Sequence, residues 1–220
     1  MNKAKQKQRS LAQALSFLLG NANIHGFFTG TIYQGPLKRI CLPGLNCYSC
    51  PGALGACPIG SLQNGLADPF LRIPFYVLGF LILTGTLFGR FVCGWLCPFG
   101  WFQELLYKIP RPGARKKWKP DALSRHRWLK NGKTIVLFFL VAWPVLSRYR
   151  SGYGIPAFCS YLCPSGTLMA GIPLLLKNQA LRDRIGWLFG WKAFILLLIV
   201  VLSILIERPF CRYLCPLGAL

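Results

Sequence analysis

The sequence predicts an all-α integral membrane protein with about four transmembrane helices, in two pseudo-repeated halves with cysteine-rich loops at both membrane faces. Three observations lead to this fold class. The mean hydropathy is +0.43 and only five of the 220 residues are acidic, which is typical of membrane proteins rather than soluble domains. Several apolar segments are long enough to cross ~30 Å of hydrocarbon. A Cys-x3-Cys-Pro motif occurs three times, each time beside an apolar segment.

Four apolar segments are candidate transmembrane spans, namely residues 11–33, 70–88, 134–147 and 187–206. The first is interrupted by Asn21, Asn23 and His25, so it either crosses the membrane or lies in the interface as an amphipathic helix. We favour a crossing, because it places the basic N-terminus on the same side as the basic loop described next. Residues 167–176 form a shorter, proline-interrupted segment that fits a re-entrant hairpin.

The positive charges predict the orientation of the chain. The formal net charge is +21, but the basic residues cluster at the ends of apolar segments, which indicates membrane anchoring rather than nucleic-acid binding. Residues 108–133 hold ten Lys or Arg and one acid, so this loop and the basic N-terminus are predicted to be cytoplasmic. The predicted location is the bacterial plasma membrane, crossed several times, with lipid as a partner. Three basic residues would then lie outside the cytoplasm, against the rule that basic residues concentrate on the cytoplasmic side: Lys177, Arg182 and Arg184.

An internal duplication supports the two halves. The chain divides into a first membrane half, a basic linker and a second membrane half: residues 1–107, 108–133 and 134–220. Cys57-Pro-Ile-Gly-Ser-Leu matches Cys163-Pro-Ser-Gly-Thr-Leu, and residues 91–100 match 209–218 in register. In each half the first motif precedes a clear span and the second follows it. Two like-oriented halves related by an axis along the membrane normal fit this pattern.

Six of the ten cysteines follow the repeated motif, at residues 93–98, 159–164 and 211–216. A Cys-x3-Cys spacing puts two sulfurs on one helix face, one turn apart, and the following proline fixes the backbone and removes an N–H donor. Pseudo-symmetry brings two such pairs to the cytoplasmic side. They predict an inner four-thiolate site of the kind that holds a [4Fe-4S] cluster, with Cys93, Cys97, Cys211 and Cys215 as ligands.

The remaining cysteines predict a second, outer site at the opposite membrane face. Six candidates are available there: Cys41, Cys47, Cys50, Cys57, Cys159 and Cys163. The first four lie in the Gly/Pro-rich loop 41–57, and six ligands exceed the need of one cluster. We expect Cys159, Cys163 and two of the loop cysteines to bind a second cluster, but the spacing does not decide which two. A disulfide or a structural metal clip remains an alternative.

Few other residues indicate a cofactor. Only two histidines are present, which argues against haem as the main cofactor. His126 lies in the basic loop, where a solvated role is expected, and His25 is either a quinone contact or a satisfied polar residue. Near the predicted inner site, two acidic residues can pair with arginines: Glu104 and Glu207 with Arg90, Arg208 or Arg212.

The motifs resemble those of a known family. Residues 89–100, with Cys93-Gly-Trp-Leu-Cys97-Pro98, look like the membrane-bound 4Fe-4S polyferredoxin family, and residues 208–218 are similar to its second signature. That family includes the ferredoxin-type membrane subunit of periplasmic nitrate reductase systems and the membrane part of nitrous-oxide reductase regulators. Its members commonly continue into a ferredoxin segment, so we expect either that this chain is a fragment or that a separate ferredoxin replaces that segment. Common members also lack the outer cysteines, so this chain resembles a cysteine-richer branch.

The resemblance implies a membrane electron carrier, and the cysteine pattern predicts two clusters in it, one near each face. It would relay electrons between a quinol pool or cytoplasmic ferredoxin and a partner redox protein such as a reductase. It would act as a carrier or subunit of an oxidoreductase system rather than as a self-contained enzyme. Two alternatives stay open. One is a quinone-linked thiol–disulfide relay, which the Cys47-x2-Cys50 spacing supports. The other is copper or zinc handling by soft thiolates.

Overall fold

The computed structural model describes residues 3–68, 70, 74–89, 91–109 and 127–219, and these residues form helices and loops without a strand. An isolated bridge pairs Cys41 with Ala56. The α-helices are α1 Lys3–Gly20, α2 Ile24–Thr29, α3 Pro58–Ala67, α4 Phe75–Leu87, α5 Pro98–Lys108, α6 Arg127–Ser151, α7 in the consecutive pieces Pro164–Gly166, Thr167–Gly171 (π-helical) and Ile172–Lys177, α8 Gln179–Arg182, α9 Trp187–Leu205 and α10 Pro209–Tyr213. Short 3-10 turns occupy Pro36–Arg39 and Pro216–Gly218.

Two of the described helices are long and apolar enough to cross a membrane. They are Asn131–Ser151 within α6 and Trp187–Leu205, which is α9. Helix α4 is also apolar, but its 13 residues rise only about 20 Å. These three helices coincide with the predicted spans 134–147, 187–206 and 70–88. Three features that the sequence analysis singled out lie outside the described residues, namely Arg90, His126 and most of the linker 108–133.

The predicted first span, 11–33, is divided in the structure. Helix α1 ends at Gly20 and α2 begins at Ile24. The intervening asparagine amides bond to backbone carbonyls: Asn21 Nδ2 donates to Phe17 O and Asn23 Nδ2 to Pro51 O, each at 2.9 Å. Asparagine side chains that bond to the backbone compete with helix continuation. The break therefore ties this segment to the cysteine-containing loop 41–57.

The proline-interrupted segment 167–176 is helical and belongs to α7. Helix α7 ends at Lys177, and Asn178 Nδ2 donates to Gly30 O, 3.1 Å away at the end of α2. Arg182 then donates to the last carbonyls of α7, those of Leu175 and Leu176. These bonds hold α7, α8 and α2 together on the side of the loop 41–57.

The long helices connect two ends of the molecule. Near its start, α6 bonds to the C-terminal motif, where Lys133 Nζ donates to Gly218 O at 2.9 Å. Just beyond its end, Gly154 N donates to Ala67 O at the end of α3. Helix α9 runs the opposite way, because Lys192 near its start bonds to Cys159 and its end leads into α10. One continuous core joins these ends and contains cysteines from both predicted sites.

Candidate metal centres

The structure brings together the four cysteines predicted for the inner site. Burial raises the pKa of the Cys211 thiol, and the neighbouring Cys97 and Cys93 thiols raise it further. The pKa of Cys215 is raised in the same way, first by burial and then by Cys211, Cys93 and Cys97. The Cys211 and Cys215 thiols are therefore harder to ionise partly because the other thiols of the group lie close to them.

The local geometry of the motif differs from the regular helical turn that the spacing predicts. The second cysteine of each pair donates its N–H five residues back, closing a π turn: Cys97 to Val92 O (3.0 Å), Cys163 to Phe158 O (2.8 Å) and Cys215 to Phe210 O (2.9 Å). At the second cysteine the backbone becomes extended, with ψ from 108° to 117° in these three residues. The following proline is the first residue of a new helix, a position that needs no N–H.

Gln103 of α5 links the two halves of the inner site. Its side chain is fully buried, its Nε2 donates to Cys211 Sγ at 3.2 Å, and its Oε1 accepts from Phe210 N at 3.1 Å. The rings of Phe99 and Phe210 meet edge to face at 5.4 Å beside it. An amide N–H pointed at a cysteine sulfur stabilises negative charge on that sulfur.

An ion triad of buried Glu104 and two half-buried arginines lies against the inner site. Arg208 Nη1 donates to Cys93 O at 3.0 Å, and its Nη2 lies 3.1 Å from Glu104 Oε2. Arg9 of α1 pairs with the other oxygen of the same carboxylate. The triad therefore carries one net positive charge. The pairing of Glu104 with Arg208 is one of several that the sequence left open, but Arg9 was missed because nothing distinguishes it from the other basic residues near the N-terminus.

At the predicted outer site, two loop cysteines, Cys47 and Cys57, lie near Cys159 and Cys163. Burial raises the pKa of Cys57 to about 12, and the Cys163 and Cys47 thiols add to the rise. Burial and the Cys47 thiol raise the pKa of Cys163 to about 11. The pKa of Cys159 is raised by burial and then by Cys163, Cys57 and Cys47. The side of Gly166 faces two of these sulfurs, since a Cβ placed there would lie 3.8 Å from Cys47 Sγ and 3.9 Å from Cys163 Sγ.

The other two loop cysteines have different surroundings. Cys41 bridges to Ala56, and burial raises its thiol pKa, opposed by the Ser61 side chain. Cys50 follows Cys47 in a turn and lines an apolar cavity of about 290 Å³ together with Phe99 and Met169. His25, the candidate quinone contact, is exposed on α2 and is not among the residues lining this cavity. No disulfide joins any two cysteines in the described residues.

Gln63 and Lys192 support the outer site as Gln103 and Arg208 support the inner one. Gln63 Oε1 accepts from Cys159 N at 3.1 Å, and Lys192 Nζ donates to Cys159 O at 3.2 Å. Sequence reasoning missed both glutamines, although a signal was present. Each lies six residues after a Cys-Pro cysteine, in Cys57-Pro-Ile-Gly-Ser-Leu-Gln63 and Cys97-Pro-Phe-Gly-Trp-Phe-Gln103.

Comparison with known proteins identifies the family. A protein-family model described as a 4Fe-4S binding domain matches more than half of the chain, at residues 70–119, 134–179 and 186–220. The chain belongs to the 4Fe-4S binding domain family. It is therefore a metal-binding iron–sulfur protein, and its apolar helices agree with a membrane association. The three matched segments each contain one Cys-x3-Cys-Pro motif.

Several curated relatives of this 4Fe-4S protein are known. It is 33% identical over 142 residues to an uncharacterized protein of Methanocaldococcus jannaschii, covering 63% of this chain and 50% of the relative. It is 32% identical over 168 residues to protein NirI of Paracoccus denitrificans, covering 73% and 21%. It is 28% identical over 156 residues to regulatory protein NosR of Pseudomonas aeruginosa, covering 70% and 19%. The chain thus spans half or less of these relatives. No solved structure matches it.

Both cysteine groups fit a 4Fe-4S cluster by the chemistry of their donors. Each group offers four buried or half-buried thiols, and four cysteine ligands are the rule for such clusters. Within the described residues, no three His, Cys, Asp or Glu side chains lie close enough together to hold a single metal ion.

Proposed function

We propose that the chain binds two 4Fe-4S clusters and carries electrons between a quinol pool or cytoplasmic ferredoxin and a partner redox protein. The inner cluster would be held by Cys93, Cys97, Cys211 and Cys215, and the outer one by Cys47, Cys57, Cys159 and Cys163. The observation that carries the proposal is that each group of four thiols is built from both halves of the chain.

The residues around each group provide the surroundings that such a cofactor needs. When bound, a 4Fe-4S cluster supplies one-electron oxidation and reduction. Burial of the cysteines excludes water, which raises the cost of adding negative charge. Positive charge reduces that cost. Arg208 supplies it at Cys93 in the inner site, and Lys192 supplies it at Cys159 in the outer site. We therefore expect both cations to raise the potential of their site by stabilising the more negative, reduced state.

We also propose that four segments cross the membrane, with the N-terminus and the linker 108–133 in the cytoplasm. Large apolar side chains on α4, α6 and α9 are exposed, including Phe75, Phe138 and Trp187, and lipid is their natural contact. Helix α1 supports a crossing less directly, since it runs from Arg9 beside the inner site to Gly20, whose carbonyl accepts from Leu54 N in the loop 41–57.

A thiol–disulfide relay is the second candidate. The observation in its favour is the turn that joins Cys47 and Cys50, in which Cys50 N donates to Cys47 O at 3.0 Å. In that case Cys47 and Cys50 would exchange a disulfide with a quinone-linked partner. Copper or zinc handling has no comparable support from the geometry.

The test is to count iron and acid-labile sulfide per chain after anaerobic purification in detergent, beside an EPR spectrum of the reduced sample. The wild type should hold about eight of each. Cys93→Ser and Cys159→Ser should each lose one cluster and keep about four iron. Cys41→Ser and Cys50→Ser are the matched controls and should keep both clusters. A wild type without iron after reconstitution would overturn the proposal and favour the relay or a copper or zinc site.

A further inference from the structure

One short loop segment touches both cysteine sites. Gly44 has a φ of +124°, and a Cβ placed on it would lie 3.1 Å from Cys97 Cα, a ligand position of the inner site. A side chain at residue 44 would therefore be strained in backbone and would press on the inner motif. Glycine allows the loop to lie directly against Cys97.

The next residue contacts the outer site. Leu45 is 1% exposed, and its carbonyl oxygen accepts from Ser165 Oγ at 3.2 Å. Ser165 follows Cys163 by two residues, and Cys47 follows Leu45 by two residues. A single peptide, Gly44–Leu45, thus connects Cys97 to two outer ligands, one along the covalent chain and one through a hydrogen bond.

This contact limits the separation of the sites. From the 3.8 Å spacing of consecutive Cα atoms, the Cα atoms of Cys97 and Cys47 are at most about 16 Å apart. The sequence predicted clusters near opposite faces, which a bilayer core would separate by ~30 Å. The structure therefore corrects that expectation, because the loop 41–57 reaches inward to the inner motif.

We propose that the Gly44–Leu45 peptide, through its hydrogen bond to Ser165, is the path by which an electron passes between the two sites. The inference rests on the proposed function. In this step one electron leaves one site and reaches the other, no bond forms or breaks, and no proton is required. Electrons tunnel more readily through covalent and hydrogen bonds than across empty space. The neighbouring route from Cys50 to Phe99 is interrupted by the cavity of about 290 Å³, which favours the peptide.

Two variants and two matched controls test the path. Ser165→Ala removes the hydroxyl that donates to Leu45, and Gly44→Ala disturbs the contact with Cys97. Ser203→Ala is the control for the first, because Ser203 is also fully buried and donates to a carbonyl, that of Ile199, within α9. Gly152→Ala is the control for the second, because Gly152 has a φ of +76° with nothing near its Cβ position.

The measurement is the rate of electron exchange between the sites after flash reduction, with iron content and the EPR spectrum of the fully reduced wild type recorded alongside. Ser165→Ala should keep about eight iron and slow the exchange about tenfold, since small displacements have large effects on reactions that need fixed geometry. The controls should stay within about twofold of wild type. The wild-type spectrum should show magnetic interaction between the two centres.

An unchanged rate in an iron-replete Ser165→Ala would overturn the path, as would a wild type whose two centres show no magnetic interaction. Because Ser165→Ala leaves the backbone and the ligands in place, it decides the question even if Gly44→Ala fails to bind iron. A wild type with about four iron or none would instead show that the two-cluster proposal itself fails.

Discussion

Gln63 and Gln103 occupy equivalent positions after a Cys-Pro helix start, yet they touch their sites differently. Gln103 donates to a sulfur, that of Cys211, whereas Gln63 accepts from the N–H of Cys159 and donates to Leu140 O at 3.4 Å. A donor on a ligand sulfur changes the charge balance of a centre, while a bond to backbone only positions the ligand. Gln103 therefore affects the reduction potential of the inner site, whereas Gln63 only holds Cys159 in position.

We expect Gln103→Leu to lower the potential of the inner site. The lost N–H···S bond is worth about 1 kcal/mol, which for a one-electron couple corresponds to about 40 mV. Gln63→Leu is the matched control and should shift the outer potential by less, because no bond to sulfur is lost. A redox titration followed by EPR measures both. Equal shifts in the two variants would contradict the assigned roles.

The cysteine thiols also predict how the cluster-free protein responds to pH. The pKa of Cys163 is about 11 and that of Cys57 about 12 in the fold, against an ordinary value of 9.0. Above pH ~9 the unfolded chain loses thiol protons that the folded chain keeps, so the free energy of unfolding falls as the pH rises. Below that pH these thiols are protonated in both states and contribute no pH dependence.

Thermal unfolding in detergent at neutral pH and at pH ~10 checks this expectation. The cluster-free protein should lose stability at the higher pH, and the cluster-free Cys57→Ser variant should lose less. The iron-loaded protein should lack this dependence on thiol protonation, since bound thiolates carry no proton. If the cluster-free wild type and the Cys57→Ser variant lost equal stability between the two pH values, the expectation would be refuted.

At the scale of elements, a proline in α6 and a glutamine in α3 act together. Pro144 lies inside α6 and has no N–H, so the carbonyl of Leu140, four residues earlier, lacks its helical partner. Gln63 Nε2 donates to that carbonyl and so couples α6 to the outer site through Cys159. The predicted span 134–147 contains this proline, but its partner is distant in sequence.

We therefore predict that Gln63→Leu and Pro144→Ala are not additive. Gln63→Leu alone leaves buried backbone groups without a partner, at a cost of about 1–3 kcal/mol. Pro144→Ala supplies a new N–H to Leu140 O, so the double variant should be more stable than the sum of the single effects by about 1 kcal/mol. Denaturant titration of all four forms measures the coupling, and strict additivity would rule it out.

At the scale of the whole molecule, α6 and α9 run in opposite directions between the two sites. Together with the positive charge of the linker, this arrangement predicts that residues 110–126 and the turn after α8 lie on opposite sides of the membrane. A protease site inserted in the linker should be cut only from the cytoplasmic side of vesicles, and one inserted at Gly186 only from the other side. Cleavage of both sites from one side would exclude the proposed topology.

The sequence by itself determined the helical fold class and the 4Fe-4S family, which the family match confirms. It also predicted the grouping of Cys93 and Cys97 with Cys211 and Cys215. The fold class and the family rest on local features, namely apolar runs and a motif whose spacing and proline set its own turn, whereas the grouping follows from the internal duplication.

Only the tertiary structure shows that the loop cysteines Cys47 and Cys57 lie near Cys159 and Cys163, and how near the inner motif comes to the loop. A Gly/Pro-rich loop has no periodicity from which side-chain direction can be read, so its path depends on contacts with distant residues. The bonds of Asn23 to Pro51 and of Ser165 to Leu45, and the packing of Gly44 on Cys97, set that path. The break in the segment 11–33 has the same origin, because Asn23 bonds to the loop backbone at Pro51 rather than extending a helix.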